Sequence, residues 1–575
     1  MHARTHARTH ARTHARTHVC THACTHTHTH TYIYIYIYIY TLCTHLYICL
    51  YIPIAHAHIS HFKRYEVSSI SLHLKMLYLM IFLILVIFVC LYYLCDGKPR
   101  NYPPGPAWLP FLGCYLTFMR LRSKYEYSHI ALQELARTYG PILGLKLGNQ
   151  KVVVISTYDL VKKTLRCDEF NSRPDGFFFR LRSFGKRKGL VFTEDTTWLQ
   201  IRRFTTRHLR TFGIGQSVMK KQLMIEAREL INHLQEISER GAISMDRVFD
   251  VAVLNSLWFM IAGHRFCYED EKLQQALEVA HDAFRLMDNL GGVVSQIPFL
   301  RFIIPELSGY NELMKILKKL WSFIDDEIKM HESDPPPDNQ PRDLIDAFLS
   351  KMSTKNGDED TIFDREMLLV LCLDLFLAGS KTTIDTLATA FLFLSLNPEW
   401  IKKLQADLDR VVGRSRSPTE NDLPSLPMIE AFLTEIQRYL IMAPLGIPHR
   451  TSKDVFLNGY RIPKDTNVLF HYHSAHNDKA HWDEPNVFRP QRFLDERGQF
   501  SRNNSTFPFG LGKRHCPGEL LARSSLFLFF TNIMHYFDME ISTEHGKPDL
   551  KFYDGFTLSP KPYYLKLTKR SDLND

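Results

Sequence analysis

The spacing of apolar positions changes several times along this chain, and each change predicts a different element. Residues 76–95 are an uncharged apolar run, long enough to span a bilayer as one helix. Residues 143–155 alternate apolar and polar side chains around Gly148-Asn149, which predicts a β-hairpin. Helical spacing dominates the following segments. Within them, residues 366–396 are apolar nearly all round, which predicts a buried central helix.

Three further segments complete the predicted order of elements. Residues 103–106, Pro-Pro-Gly-Pro, predict a stiff spacer that no helix can cross. Residues 334–342 are rich in Pro and Asp and predict a solvated linker between helices. After residue 440, short strands and coil lead to a glycine-rich loop and a last apolar helix over 519–536.

The first 75 residues have the composition of translated repeat DNA. They contain His-Ala-Arg-Thr, Thr-His and Tyr-Ile repeats in succession. A His-rich metal tract or an aggregating strand are the protein-level alternatives. Dinucleotide repeats translate as Thr-His and Tyr-Ile, so we expect residues 1–75 to be a spurious, disordered, low-complexity segment and Met76 to be the initiator. The His repeats are then no metal site.

The apolar run of residues 76–95 predicts a signal anchor. A cleaved signal peptide is the alternative, but the run is long and lacks an Ala-x-Ala-like site. With a start at Met76 the nearest cations are Lys98 and Arg100, on the C-terminal side of the run. The positive-inside rule then places the rest of the chain in the cytoplasm.

Charge and cysteine content exclude several classes of protein. The net charge is +9, but residues 1–75 hold seven Lys/Arg and one acid, so the remainder is nearly balanced. Such a balance gives no reason to expect nucleic acid as a partner. The 11 cysteines lack regular spacing, which argues against a disulfide framework or a zinc cluster and fits a reducing compartment.

One cysteine, Cys516, lies in a sequence pattern that suits a metal-bound thiolate. It follows Arg514 in a glycine-rich loop and directly precedes the last helix. N–H groups at a helix start stabilise negative charge on sulfur and lower a thiol pKa. Arg514 suits a carboxylate on the same ligand. An ordinary buried cysteine is the alternative for any lone Cys.

The segment 509–518 matches Phe-x-x-Gly-x-Arg-x-Cys-x-Gly at every fixed position and resembles the haem-binding loop of the cytochrome P450 family. The resemblance covers roughly residues 99–570 and is to microsomal members, with insect members the most similar in style. It implies a mainly α fold with a small β-sheet region: one large haem-thiolate monooxygenase domain (107–570), a Pro-rich hinge (96–106) and a transmembrane anchor (76–95). It also implies haem b with Cys516 as axial ligand to the iron, and Phe509, Gly512 and Gly518 in the cofactor loop.

The resemblance implies haem-propionate contacts and a docking face for a redox partner. The implied propionate contacts are Trp198, Arg202, His449 and Arg514. From their spacing alone, Trp198 and Arg202 share one face of a helix. The alternative to a propionate contact is that Arg202 is an ordinary surface arginine. The docking residues are Arg203, Arg207 and Arg210, together with Lys513. A solvated basic face is the alternative to docking of an acidic flavoprotein reductase.

Two more motifs match the family. Glu435-x-x-Arg438 and the downstream Arg492 imply a buried structural network on the haem side of the core; a trivial surface ion pair is the alternative. On the central helix the resemblance implies that Gly379 makes room beside bound oxygen and that Thr382 assists oxygen activation.

Lys381 departs from the family, which usually has Asp or Glu at this position. A cation cannot replace a carboxylate in a proton relay unless burial depresses its pKa strongly. In one account Lys381 turns away toward Asp385 and water relays the protons. In the other, proton delivery is slower and more reducing equivalents are lost to peroxide, which product formed per NADPH in Lys381→Glu would test.

Apolar segments predict a lipophilic substrate. The candidate contacts are residues 177–191, Phe376, Ala378, residues 445–447 and residues 556–558. Residues 293–305 are core or, as the resemblance implies, a loop that enters the membrane surface.

The resulting hypothesis is a monooxygenase of the endoplasmic reticulum that inserts one oxygen atom into a terpenoid or steroid hormone, a fatty acid or a xenobiotic. NADPH is used indirectly, through a flavoprotein reductase, and a small haem electron-transfer protein is a second candidate partner. The alternatives are a haem-thiolate isomerase or dehydratase that needs no reductase, and a non-catalytic haem-binding protein.

Overall fold

The structure is a computed structural model. The chain forms two compact units, Met1–Gly97 and Lys98–Asp575. Within helix residues 61–72 and 91–96 only the backbone is described. The described residues are 61–287, 292–338, 340–353, 362–501 and 505–570.

The first unit contains one described helix, α1 (His61–Asp96). Its segment His73–Cys90 has a mean hydropathy of 2.5 and no buried residue within the unit, which is compatible with a membrane anchor. We expected residues 1–75 to be disordered, but residues 61–75 are helical and belong to the same helix as the apolar segment. Extending a helix that is already nucleated costs little free energy. The repeats of residues 1–60 lie outside the described residues.

The second unit is mainly helical, as predicted. Its described helices are α2 (Tyr115–Tyr125), α3 (Ser128–Tyr139), α4 (Tyr158–Thr164), α5 (Phe177–Leu181), α6 (Asp195–Thr211), α7 (Ser217–Ser238), α8 (Asp250–Ala262), α9 (Glu271–Leu286), α10 (Gly292–Gln296), α11 (Leu300–Ile303), α12 (Tyr310–Ser333), α13 (Leu344–Ser353), α14 (Arg365–Leu396), α15 (Pro398–Val412), α16 (Pro427–Tyr439), α17 (Tyr472–His476) and α18 (Glu519–Tyr536).

Short strands form small sheets at the edges of the helical body. They are β1 (Ile142–Leu147), β2 (Gln150–Ile155), β3 (Ile243–Ser244), β4 (His449–Arg450), β5 (Val455–Leu457), β6 (Tyr460–Ile462), β7 (Asn467–Phe470), β8 (Phe537–Ile541), β9 (Phe552–Tyr553), β10 (Ser559–Pro560) and β11 (Tyr564–Lys569). The largest described sheet has the order β1-β2-β7-β4. The predicted hairpin is confirmed: β1 and β2 pair antiparallel, with Leu147 opposite Gln150 across Gly148-Asn149.

The core is organised around α14. Asp364 caps its start by accepting a hydrogen bond from the Met367 N–H at 2.7 Å. Phe391 of α14 packs between Phe249, at 5.7 Å between ring centroids, and Phe530 of α18, at 5.3 Å. Although α14 is apolar enough to cross a membrane, 78% of it is buried inside the unit. The prediction of a buried central helix is therefore confirmed, and the predicted linker 334–342 does lie between α12 and α13.

The Pro-rich spacer is shorter than the predicted 96–106. Tyr102 is buried, and its hydroxyl donates to Val152 O at 3.1 Å. The Gly144 N–H donates to Pro104 O at 2.7 Å. A Cβ on Gly105 would lie 1.9 Å from Gly144 O, so this segment is docked closely on β1. Residues from Tyr102 onward therefore belong to the body of the second unit.

Candidate active site

The loop before α18 is held by a hydrogen bond of its own backbone and turns at two glycines with positive φ. The Cys516 N–H donates to Phe509 O at 3.0 Å, which folds the loop back on itself. Gly510 has φ +74° and Gly512 has φ +72°. A Cβ on Gly512 would lie 2.2 Å from Leu165 O, so no other residue fits there without a shift.

The position of Cys516 at a helix start predicted a lowered thiol pKa, and the structure differs from that expectation. Burial raises the pKa of the Cys516 thiol, and Glu519 acts in the same direction. The Gly518 N–H and Arg202 lower it, as expected for a helix start beside a cation, but they do not reverse the shift. A bound metal cation would supply the missing charge, because a coordinated thiol is deprotonated by the ion itself.

Trp198 holds two arginine side chains beside this loop. It lies on α6, and the guanidinium carbons of Arg514 and Arg202 lie 4.0 and 5.5 Å from its ring centroid. Arg202 Nη2 donates to His515 O at 2.6 Å. Arg514 donates from Nε to Asn171 O at 2.9 Å and from Nη2 to Thr193 O at 2.8 Å. The structure thus brings together three of the four residues predicted to contact the propionates.

The fourth residue, His449, comes with an arginine that the sequence reasoning missed. His449 Nδ1 bonds to Phe170 O at 2.6 Å; burial, then Arg173, holds its pKa well below the usual range, so the ring is neutral. Arg173 is buried and donates to Ile447 O and Pro448 O at 3.1 and 2.9 Å. Arg173 precedes a proline in an ordinary-looking loop, and no local signal marked it as part of the site.

The charge of this cluster fits a dianionic ligand. Burial and the neighbouring Arg173 and Arg202 lower the pKa of Arg514 to about 8, with Glu194 opposing them. Burial lowers the pKa of Arg173 to about 10. The Nε of Arg173 is buried without a hydrogen-bond partner. Buried cations need anionic partners, and the two carboxylates of haem would supply them.

The predicted docking residues line the outer side of the loop. Arg203, Arg207, Arg210 and Lys513 are all exposed, and Lys513 forms an ion pair with Asp168 at 2.7 Å. A cavity of about 470 Å³ opens here between α6, α16 and α18, and its lining includes Arg210 and Cys516. The cysteine loop therefore lies directly behind a concave, partly basic surface.

The Glu435 network is buried, as the resemblance implied. Arg438 forms a bidentate ion pair with Glu435 at 2.6 and 2.7 Å, and both side chains are fully buried. Its Nη1 also donates to His476 O and Pro485 O. Arg492 Nε donates to Glu435 at 3.2 Å. These residues join α16 to the segment that leads to the cysteine loop.

A short window interrupts the burial of α14. Between Met367 and Ser395 every residue is buried except Leu377, Ala378, Gly379 and Thr382. These four positions are therefore the exposed or half-buried part of an otherwise buried stretch. Thr382 is exposed within it, and its Oγ1 donates to Ala378 O at 3.0 Å.

Gly379 has a packing reason beside its predicted catalytic one. A Cβ there would lie 2.2 Å from Leu257 Cδ2 on α8. The glycine therefore allows close approach of α14 and α8, whether or not it also makes room for oxygen.

Lys381 points to Asp385. This arrangement is the one expected in the first account, in which Lys381 turns away toward Asp385. Its Nζ lies 2.6 Å from Asp385 Oδ1, and both side chains are buried. Burial raises the pKa of Asp385, and Lys381 opposes that shift.

The residues predicted to contact substrate differ in how they are placed. Phe376 is fully buried and packs against Trp258 and Phe323, so its assignment as a substrate contact is corrected: it is a core residue. Ala378 lies in the window of α14. Residues 177–191 are held to α14 by Asp374, which accepts from the Leu190 and Val191 N–H groups at 2.6 and 3.0 Å.

Comparison with known proteins identifies the family of the chain. Residues 103–567 match the family model described as Cytochrome P450. Farnesoate epoxidase of Bombyx mori is 36% identical over 488 residues, covering 84% of this chain and 98% of the relative. Cytochrome P450 18a1 of Drosophila melanogaster is 34% identical (82% of this chain, 87% of the relative), and Cytochrome P450 2J2 of Homo sapiens is 35% identical (81% and 91%). The chain therefore belongs to the cytochrome P450 family, as a microsomal-type member that resembles those of insects.

Proposed function

We propose that this protein inserts one oxygen atom from O2 into a lipophilic substrate, with electrons that reach its haem from NADPH through a flavoprotein reductase. The observation that carries the proposal is the cation cluster around the loop of Cys516, formed by buried Arg173 and half-buried Arg202 and Arg514. Family membership makes the protein a haem-thiolate monooxygenase in general terms.

Cys516 is the residue we assign as axial ligand. Haem bound through a thiolate supplies the electron density that favours O–O cleavage. Arg173, Arg202 and Arg514, with Trp198 and His449, are the residues that would hold the two propionates. Thr382, in the window of α14, holds and passes protons at its Oγ1 on the oxygen side. Gly510 and Gly512 let the loop approach the cofactor closely.

The substrate class is inferred from the apolar candidate segments of the sequence and from one relative. A relative named farnesoate epoxidase aligns over 98% of its length. We infer an apolar, isoprenoid-like substrate, with fatty acids, steroids and xenobiotics as competing classes. The window residues Leu377 and Ala378 would contact it.

The location we propose is the endoplasmic reticulum membrane, with α1 as a single-pass anchor and the catalytic unit in the cytoplasm. The hydropathy of His73–Cys90 supports the anchor. A second apolar surface consists of Phe299, Phe302, Ile303 and Leu307, exposed by 58, 76, 67 and 83%. We call it the α11 surface. Exposed apolar groups in such number mark contact with a membrane or a partner.

The test is reconstitution of the full chain with a microsomal NADPH-dependent reductase in lipid. Oxygen uptake and product formation are followed against farnesoic acid, dodecanoic acid and a steroid. We expect reductase-dependent oxygen uptake with one oxygen atom in the product, and loss of the thiolate-type carbon monoxide spectrum in Cys516→Ser. Product without oxygen uptake would instead indicate an isomerase or dehydratase. Retention of the spectrum in Cys516→Ser would refute the assigned ligand.

A further inference from the structure

Lys381 and Asp385 form an ion pair enclosed in the core, one turn apart on α14. Their side chains are 3% and 2% exposed, and Nζ lies 2.6 Å from Oδ1. A buried charge is tolerated when it is paired and its remaining lone pairs accept hydrogen bonds. The second oxygen of Asp385 therefore needs partners of its own.

Those partners come from a segment about 170 residues further along the chain. Thr557 Oγ1 donates to Asp385 Oδ2 at 3.3 Å, and Ser559 Oγ donates to the same oxygen at 3.1 Å. His281 of α9 is a further titratable group near Asp385, and its Nε2 bonds to Asp250 at 2.8 Å. One carboxylate thus joins the central helix to the segment 556–559.

The neighbouring apolar residues of that segment are packed as well. The Phe556 ring lies against Phe284, with 5.9 Å between ring centroids, and Leu558 is buried. The backbone is held at both positions: the Phe556 N–H donates to Phe284 O and the Leu558 N–H to Met442 O, each at 2.8 Å. The hydroxyl contacts and the backbone contacts therefore hold Phe556 and Leu558 in place.

We propose that Lys381 is a positioning residue that acts through Asp385 on segment 556–559, and so sets the wall that the substrate meets. The inference rests on the proposed function, in which residues 556–558 are substrate contacts. Lys381 Nζ, 2.6 Å from Asp385, favours the ionised form of that side chain, in which one carboxylate oxygen accepts from both hydroxyls. Its ammonium group is committed to Asp385, which takes it out of proton delivery beside Thr382.

Two variants interrupt this chain of contacts at different points. Lys381→Met removes the cation while keeping most of the side-chain volume. The double variant Thr557→Val with Ser559→Ala removes both donors and leaves Lys381 in place. Lys381→Arg keeps a cation and is the conservative rescue. Lys329→Met is the matched control, because Lys329 forms an exposed Lys–Asp pair of the same spacing on α12, with Asp325 at 2.7 Å.

The primary measurement is hydrogen exchange at the Phe556 and Leu558 amides in the haem-loaded full chain. We expect about tenfold faster exchange in Lys381→Met and in the Thr557/Ser559 double variant, since each loses the buried contacts that hold the segment. Lys381→Arg and Lys329→Met should exchange like the wild type. Wild-type exchange in Lys381→Met, or in the double variant if the single one does not fold, would overturn the proposal.

The second measurement is ligand binding to the haem, followed by absorbance. 1-Dodecylimidazole binds iron through its ring and fills the cavity with its alkyl chain, whereas imidazole reports on the iron alone. We expect both variants to weaken dodecylimidazole binding severalfold and to leave imidazole binding unchanged. A loss of product per NADPH in Lys381→Met that the double variant does not share would show that Lys381 acts on protons, and would overturn the proposal.

These measurements separate the proposal from the function on which it rests. Exchange and imidazole binding need no turnover. If the reconstituted protein consumes no oxygen while the exchange result holds, the proposed function fails and the positioning role of Lys381 on the segment stands. If oxygenation occurs and exchange is unchanged, the positioning role fails alone.

Discussion

Glu435 and Arg438 are two charged residues that are buried together as a fully enclosed ion pair. Arg438 uses its planar fork for the carboxylate and still donates to His476 O and Pro485 O. A lysine offers one point charge and cannot satisfy these acceptors together.

We expect Arg438→Lys to lower the free energy of unfolding by about 3–5 kcal/mol, because the Glu435 charge is left poorly paired in the core. Urea unfolding and the haem content of the purified protein measure this. The control is Arg416→Lys, whose bidentate pair with Asp422 is partly exposed and should cost less than about 1 kcal/mol. Equal losses in the two variants would contradict a buried network.

Two histidines at one end of α12 predict a pH dependence of stability. Glu327 raises the pKa of His264, through a hydrogen bond at 2.7 Å. Burial lowers the pKa of His331, but Asp343, at 3.1 Å, and the Glu327 carbonyl outweigh burial and raise it. A raised folded-state pKa means that the stabilisation is complete below the unfolded value of 6.5 and is lost as pH rises through the folded value.

We therefore expect the stability advantage of the wild type over His264→Gln/His331→Gln to shrink as pH rises from about 6 to about 8.5. Thermal unfolding at several pH values measures the difference, and the double variant itself corrects for all other titrating groups. An advantage that grows with pH would show that the sign is wrong.

Among the elements, those with a strong local pattern were predictable. The hairpin of β1 and β2 follows from alternation around Gly148, and α18 has the predicted bounds because a glycine-rich loop precedes it. The central helix begins one residue earlier than predicted, at Arg365. By contrast, Tyr102 was read as spacer because composition does not show that its hydroxyl reaches β1 and β2.

The α11 surface gives a prediction at the scale of one element. In protein that lacks residues 1–97, so that α1 does not mask the effect, Phe302→Asp/Leu307→Asp should weaken binding to phosphatidylcholine vesicles by roughly tenfold or more. Vesicle sedimentation measures the bound fraction. Val487→Asp, at another exposed apolar position, is the control and should bind like the parent. Unchanged binding in the double variant would mean that this surface does not enter lipid.

At the scale of the whole molecule, the site is assembled from segments that are far apart in sequence. Arg173, Asp374 and the Asp385 contacts with residues 557 and 559 escaped sequence reasoning, because their partners lie tens to hundreds of residues away. The cysteine loop could be predicted from the sequence because its pattern consists of residues within one short segment. These long-range contacts depend on how α14 packs against segments of the second unit that precede and follow it in sequence.

The exposed arginines of α6 predict how the molecule meets its electron donor. Charge reversal of Arg203 and Arg207 to Glu should slow reduction of the haem by the reductase at least tenfold at low salt, since steering depends on complementary charge. Stopped-flow absorbance measures the rate. Lys318→Glu/Lys319→Glu on α12 makes the same change in net charge on another helix and should leave the rate unchanged. A rate insensitive to the α6 reversal would move the docking face elsewhere.

The window in α14 also has a consequence for engineering this protein. Substitutions at most positions between Met367 and Ser395 disturb close packing, and Gly379 is excluded by Leu257. Ala378 is exposed, and Leu377 is only half-buried against the core, so these two positions are less constrained. A mutant library confined to these two positions should alter substrate range while most of its members keep the parental melting temperature.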